Sequence, residues 1–403
     1  VSALRAPRCF WLDGGGARDW SGRRSLVGWL DPDDVSLTYD AARREVTRHA
    51  GGRAEVVGDD VFAVLDAEVA GGPSDARWFG YLGYACRPDL PARPDPRLPD
   101  AVWMCPSHLR VFDHPDGAPR RPGDAPPDVG PLVDPGEYAA AFARVQEHLH
   151  AGDTYEVNLT YRVEVDGPAD PLAAYLRLRA LNPAPYAGFL QHDVPGARAW
   201  LLSSSPERYA LVGRDRVVET RPIKGTTARG ATPAEDEALR RRLAEEPKYR
   251  AENLMIVDLL RNDLAQVCEP GSVEVPELMA VESYDTVHQL VSTVRGHLRP
   301  DVSTVAALRA LFPAGSMTGA PKLRTMAVID AVESTPRGAY AGAFGWLAAD
   351  GRADLGVVIR SLTSTGDGRW SLGTGGGVTV DSTVADELAE TEWKAARLLQ
   401  ALR

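Results

Sequence analysis

A mixed α/β (α+β) fold is what this 403-residue sequence predicts, on three observations. Its composition, 44% hydrophobic and 25% charged, is globular, and the length suffices for a large core; length alone suggests two or three domains. A first part carries short β-like runs, Val61 to Leu65 and Trp78 to Tyr84, between polar loops. A second part alternates strand-like and helix-like segments as far as Arg403. Between them, from His114 to Gly136, HPDGAPRRPGDAPPDVGPLVDPG is too rich in Pro, Gly and Asp for regular structure and reads as a connector. The boundary is set at 135, giving regions 1–135 and 136–403. The second opens on a helical pattern, Tyr138 to Ala151, closed by Gly152. No internal repeat is visible.

A formal charge of -11 excludes a nucleic-acid or anionic-membrane surface, since both require a basic face. Small molecules are the expected ligands. Cys9, Cys86, Cys105 and Cys268 lie far apart without metal-ligand spacing, so neither a zinc site nor a disulfide framework is expected, and a reducing cytoplasm fits. No apolar run is long enough to span a bilayer, and the N-terminus lacks signal-peptide order. The chain opens on Val1 in place of Met, which points to trimming or excision from a longer polypeptide. Of 45 basic residues only Lys224, Lys248, Lys322 and Lys394 are Lys. Genomic preference for Arg explains the bias, yet against it each remaining Lys is a candidate for a position that Arg cannot fill, since a guanidinium is never deprotonated and cannot act as a nucleophile.

Three segments carry chemistry. PERYALVGRDRVVETRPIKGT reads as a hairpin turning at Gly213-Arg214-Asp215, which brings Glu207 beside Lys224. That pair is either an acid beside a nucleophile or an ordinary cross-strand salt bridge. PKYRAENLMIVDLLRNDLAQV begins with a Pro suited to a first helical turn and places Glu252 on the stripe of Met255, Ile256 and Leu259. A carboxylate there needs a cation or a route to solvent. SLGTGGGVTVDSTVADELAETEWKAARLLQALR reads as a strand, a triple-Gly turn, a second strand and a helix starting near Asp381-Ser382. Glu387 and Glu390 share one face of that helix, with Lys394 four residues beyond Glu390, suited either to a hard cation such as Mg2+ or to a solvated surface. Gly375, Gly376 and Gly377 let backbone N–H groups approach an anion, or serve a tight turn.

In order, the strings DTYEVNLT, SPERY, TRPIKGT, ENLMIVDLLRNDL, PAGSMTGAPK, YAGAFGW, LGVVIRS and GGGVTVDS resemble the chorismate-utilising enzyme family. That family includes anthranilate, isochorismate, salicylate and aminodeoxychorismate synthases. The match runs from about Gly152 to Arg397, and WFGYLGY in the first part also fits. The resemblance implies a large antiparallel sheet core with surrounding helices, two interleaved lobes, and an active site between them. PIKGT resembles the aminodeoxychorismate type, because members acting at C2 of the ring usually carry Ala where this chain has Lys224. In that type the Lys adds at C2 and expels the C4 hydroxyl, and ammonia then attacks C4 and releases the enzyme. A nearby Mg2+ and partial desolvation would lower the amine's pKa toward working pH.

The resemblance further implies that Glu207 protonates the departing C4 oxygen. Glu252 and Glu390 match the principal Mg2+ ligands, with Glu387 beside the metal through water. His288, in TVHQLVS, matches a His near the reacting ring; Arg360 and Tyr340 match binders of the enolpyruvyl carboxylate. Lys322, Thr226 and the triple-Gly N–H groups complete the substrate pocket. Water-adding relatives have a Lys where this chain has Glu156, and its loss agrees with amination. The role of Glu156 is left open.

No Cys sits on a Gly-flanked elbow, so ammonia is expected from a glutamine amidotransferase subunit or formerly fused domain. The first part resembles the region that forms a tryptophan pocket in relatives, RRSLVGWL around Ser25 to Gly28 being the candidate, although it departs from the usual pattern. The expected activity is conversion of chorismate and ammonia to 4-amino-4-deoxychorismate for 4-aminobenzoate formation, in folate or secondary metabolism. Two rivals are a C2-aminating enzyme such as anthranilate synthase and a non-catalytic chorismate-binding subunit.

Overall fold

The computed structural model describes residues 2–14, 23–114, 128–284 and 287–403. Most of the connector read between His114 and Gly136 lies outside the described residues. Two antiparallel sheets dominate, as the resemblance implied. The nine-stranded sheet runs, in spatial order, from Gly319–Ala320 through Glu156–Asp166, Arg369–Val378, Ser361–Ser364, Ala199–Ser205, Tyr186–His192, Arg8–Asp13 and Arg24–Trp29 to His108–Asp113. The twelve-stranded sheet begins with Ile223–Ala228, Val287–His297, Val217–Arg221, Arg208–Val212, Ala353–Val357 and Ala343–Ala348. It continues through Arg77–Leu82, Ala101–Met104, Ser36–Asp40 and Glu45–Ala50 to Arg53–Gly58, while Glu274–Ser283 pairs beside Val287–His297. Each sheet therefore takes strands from both sides of residue 135. The sheets meet where Phe10 of one stacks on Phe79 of the other, ring centroids 3.9 Å apart, among buried Leu190, Leu201, Val102 and Phe344.

Three local readings differ from what the sequence suggested. Val61 to Leu65 is the start of a helix, Val61–Gly71, because the Asp60 carboxylate accepts from the N–H groups of Phe62 and Ala63 at 2.9 and 3.2 Å. That cap satisfies donors at the helix start, and Val61, Phe62 and Leu65 then bury one face. The helix expected from Tyr138 begins at Pro135, with Asp134 capping Glu137 N at 2.9 Å and Pro supplying a pre-set first turn. It ends at His150 before Gly152, whose φ is +75°.

The third difference is in the C-terminal region. The triple glycine does not turn the chain: Arg369–Val378 is one strand, paired with Glu156–Asp166 from Arg369↔Asp166 to Val378↔Val157. Glycine is needed for closeness and not for a turn. A Cβ at Gly375 would lie 2.4 Å from the Leu159 carbonyl oxygen, and one at Gly377 would lie 2.3 Å from Glu156 Oε1. The closing helix, Val384–Ala401, starts after Thr383, whose hydroxyl accepts from Asp386 N at 3.3 Å.

Candidate active site

The hairpin forms as expected, with Arg208 opposite Arg221 and the turn closed by Gly213 N donating to Val217 O at 3.0 Å. Just outside it, Glu207 precedes one strand and Lys224 follows the other. Both line a cavity of about 150 Å3. The helix Pro247–Ala265 contributes Lys248 and Glu252, and Val384–Ala401 contributes Glu387, Glu390 and Lys394. Tyr340, Arg360, Thr226, Gly375 and Gly377 line the same space. Ten of the thirteen residues named from the sequence thus converge on one cavity.

Lys224 is buried, and its ammonium is ion-paired with Glu156, not with Glu207. Glu156 is fully buried on Glu156–Asp166, the second strand from the edge of its sheet, where it pairs with Ala320. Burial pulls the Lys224 amine down, but the Glu156, Glu252 and Glu207 carboxylates outweigh it and the net direction is up. Desolvation acts in the expected lowering direction, and among the opposing carboxylates Glu156 has the largest effect.

Glu207 has the opposite environment. Burial pushes its carboxyl up to about 7, against the lowering effects of the Ser316 hydrogen bond and of Lys224 and Lys394. Ser316 Oγ donates to Glu207 Oε1 at 2.6 Å. A carboxyl poised there is protonated in a useful fraction near neutrality, which suits a general acid.

Glu252 is also raised to about 7, chiefly by burial, with Lys224 opposing. Its Oε1 is buried and accepts no hydrogen bond. Lys248 Nζ lies 4.0 Å from that oxygen and 3.0 Å from Glu387 Oε1, while Lys394 Nζ lies 2.7 Å from Glu390 Oε1. Among the described residues no three His, Cys, Asp or Glu side chains close around a common point. An all-protein cage is unnecessary for Mg2+, which is commonly held by one or two carboxylates together with substrate oxygens and water. The orphaned, buried oxygen of Glu252 beside Glu387 and Glu390 fits that donor set.

Three sequence-named residues lie elsewhere. His288 is buried on the opposite face of its strand from Gln289, which lines the cavity, as the two-residue period of a strand requires. Its ring bonds Ser283 Oγ at 2.7 Å and Asp236 Oδ1 at 3.0 Å. Lys322 is not in the cavity; it reaches across to Asp263 Oδ2 at 2.6 Å and Leu311 O at 2.9 Å, tying two helices together. Gly376 alternates away from its neighbours and lies against Glu387. Sequence reading missed Lys248 and Ser316. The scarcity of Lys pointed at the first, and the Ser within PAGSMTGAPK at the second.

Arg360 adopts a left-handed backbone, φ +50°, and its guanidinium lies 5.2 Å from the centroid of the Trp393 ring. Tyr340 is backed by Arg162, 4.4 Å from its ring centroid. A second cavity, about 320 Å3, lies where the sheets meet and takes in Leu26, Tyr186, Phe344 and Trp346. Of the RRSLVGWL string, Arg24 and Leu26 reach it; Gly28 packs on Phe10. Among the described residues no helix is long and apolar enough to cross a membrane.

Two opposed antiparallel sheets with a carboxylate- and lysine-lined cavity define the class. Residues 8–400 match the family described as chorismate binding enzyme, and the chain belongs to it. The aminodeoxychorismate synthase of Streptomyces pristinaespiralis is 41% identical over 99% of this chain and 62% of its own length. Aminodeoxychorismate synthase component 1 of Escherichia coli K12 is 44% identical over 66% of this chain and 57% of its own. The crystal structure of anthranilate synthase component I from Streptococcus pneumoniae TIGR4 superposes with a TM-score of 0.77 at 26% identity, covering 94% of this chain and 93% of that one. The chain spans about three fifths of the length of the Streptomyces relatives it matches, 62% and 60%.

Proposed function

We propose that this chain aminates chorismate at C4, giving 4-amino-4-deoxychorismate for 4-aminobenzoate formation, with ammonia supplied by a glutamine amidotransferase. One observation carries the reading: a buried lysine, Lys224, opens onto a cavity whose other walls are acids and anion binders. A C2-aminating enzyme has no use for an enzyme nucleophile there, and a non-catalytic binder has no use for a carboxyl held near 7 at Glu207. The names of the relatives support the same reading, and "component 1" in one of them is consistent with a partner.

In the proposed sequence the neutral Lys224 amine forms a bond to C2 while the ring double bonds shift and the C4–O bond breaks. Glu207 gives its proton to the departing oxygen, which leaves as water. Ammonia then bonds to C4 and the C2–N bond to Lys224 breaks, returning the enzyme. Glu207 recovers a proton from the new C4 ammonium. Arg360 and Tyr340 hold the enolpyruvyl carboxylate, and Thr226 and the Gly375 and Gly377 backbone hold the rest of the substrate. Glu252 and Glu390, with Glu387 beside them, would hold Mg2+, which supplies positive charge against the ring carboxylate. Lys248 and Lys394 add charge of the same sign on this face.

The test is incubation of the chain with chorismate, Mg2+ and ammonium, with products separated and weighed. 4-Amino-4-deoxychorismate is expected; anthranilate or another C2 product would overturn the reading. Tryptophan is the proposed ligand of the second cavity, and calorimetry showing no heat on adding it would remove that assignment.

A further inference from the structure

Resting on that reading, we propose that Glu156 is the positioning partner and proton acceptor of Lys224, taking the ammonium proton as the amine adds to the ring and returning it when the amine leaves. Glu156 is not among the residues that line the cavity; it acts through the nucleophile.

Geometry singles it out. Among the described residues Glu156 is the one carboxylate within ion-pairing distance of Lys224 Nζ. The pair bridges 68 positions of sequence and joins the two sheets, since Glu156 belongs to the nine-stranded sheet and Lys224 to the other. Glu156 is fixed: its strand is hydrogen-bonded to Gly319–Ala320 on one side and to Arg369–Val378 on the other. Lys224 has a four-carbon stem reaching from the edge strand Ile223–Ala228 and can swing toward the cavity. The space is carved for the pair as well. A Cβ at Gly377 would stand 2.3 Å from Glu156 Oε1 and 3.1 Å from Lys224 Nζ, so a larger residue there would displace the pair.

The chemistry of the surroundings explains why the pair passes a proton instead of only sharing it. Glu156 Oε2 is buried with no hydrogen-bond partner, so one oxygen of this carboxylate is open to a proton. The other charged groups facing Lys224 are Glu252 and Glu207, which hold the proton on nitrogen. Lys248 and Lys394 face those two acids in turn. An amine reaches the ring only if a fixed neighbour removes its proton. In the transfer an N–H bond of the ammonium breaks, its electron pair stays on nitrogen, and an O–H bond forms on Glu156. When C2–N cleaves, the proton travels back, so the cycle closes without another reagent.

The experiment compares the full chain with Glu156→Gln, Glu156→Asp and Glu156→Ala, using chorismate, Mg2+ and ammonium. Gln keeps the packing and accepts from Nζ but takes no proton. The expected result is a fall of about 10²-fold in kcat for Glu156→Gln, the lower range for loss of a general base, with KM changed by less than about threefold. Glu156→Asp recovers part of the loss. Formate, admitted to the space left in Glu156→Ala, restores turnover there and leaves Lys224→Ala inactive. A merely structural role moves neither formate rescue nor the kcat-only loss. If wild type makes the 4-amino product and Glu156→Gln is as fast or faster, the inference falls alone, because removing a neighbouring negative charge would then simply have freed the amine. If wild type makes a C2 product or none, the proposed function falls and takes the inference with it.

Discussion

Ser316 donates a 2.6 Å hydrogen bond to Glu207, from a 3-10 turn 109 residues further along the chain. The bond holds the Glu207 carboxyl down, against the burial that lifts it to about 7. The acid form is populated below that value and lost as pH rises through it. On the alkaline side, kcat/KM is therefore expected to fall with an apparent pKa near 7. Ser316→Ala removes a lowering contact and shifts that limb upward, whereas Glu207→Gln removes the proton donor and reduces the rate by about 10²- to 10⁴-fold. A pH–rate series on the three proteins decides it; a limb unmoved by Ser316→Ala would assign the titration to another group.

Metal binding has its own signature. Glu252→Ala is expected to weaken Mg2+-dependent chorismate binding by more than about tenfold, because the buried oxygen without a partner is lost. Lys248→Met is expected to act in the opposite direction, tightening Mg2+ binding by about tenfold, since a cation 3.0 Å from Glu387 and 4.0 Å from Glu252 competes for the same charge. Titration of Mg2+ by calorimetry, independent of turnover, measures both. Unchanged Mg2+ affinity in Glu252→Ala would take Glu252 out of the metal site.

Behind the cavity, Glu333 accepts from Arg337 at 2.7 and 3.0 Å and from Thr160 N and Oγ1 at 2.9 and 2.8 Å. Arg337 in turn holds the carbonyls of Met317 and Asn158, two lining residues. Glu333→Ala leaves Arg337 buried without its carboxylate and is expected to cost about 3–5 kcal/mol of stability. Denaturant unfolding reads this directly. By contrast, breaking the exposed Arg43–Asp40 pair is expected to change stability by less than about 1 kcal/mol.

Gly377→Ala tests the carved space around the Lys224–Glu156 pair. The added methyl would stand 2.3 Å from a carboxylate oxygen and displace it, so kcat is expected to drop by about tenfold or more while the fold persists. Thermal unfolding alongside kinetics separates the two effects, and a fully active Gly377→Ala would show that the pair has room to spare.

The hairpin, the helix bearing Glu252 and the grouping of most site residues were legible in the sequence because each depends on local signals. Gly213-Arg214-Asp215 turns the chain by itself, and Pro247 begins a helix by itself. Where the sequence misled, a tertiary fact decided the matter. Val61 to Leu65 has strand-forming residues, but the Asp60 cap and the burial of one face make it helical. Three consecutive glycines read as a turn, yet they keep a strand close to Leu159 and Glu156. His288 and Lys322 sit in family motifs, but strand alternation faces one away and Asp263 captures the other. Glu156 stood out by its position, but its role could not be read, since its partner lies on the other sheet.

In the proposed reaction Lys224 becomes bonded to the substrate. The full chain is incubated with chorismate and Mg2+ without ammonia, quenched, digested and weighed. The peptide carrying Lys224 is expected to gain the mass of chorismate less one water, and Lys224→Ala to show no such gain and make no 4-amino product when ammonium is added. An unmodified Lys224 peptide, together with full C4 amination by Lys224→Ala, would contradict it.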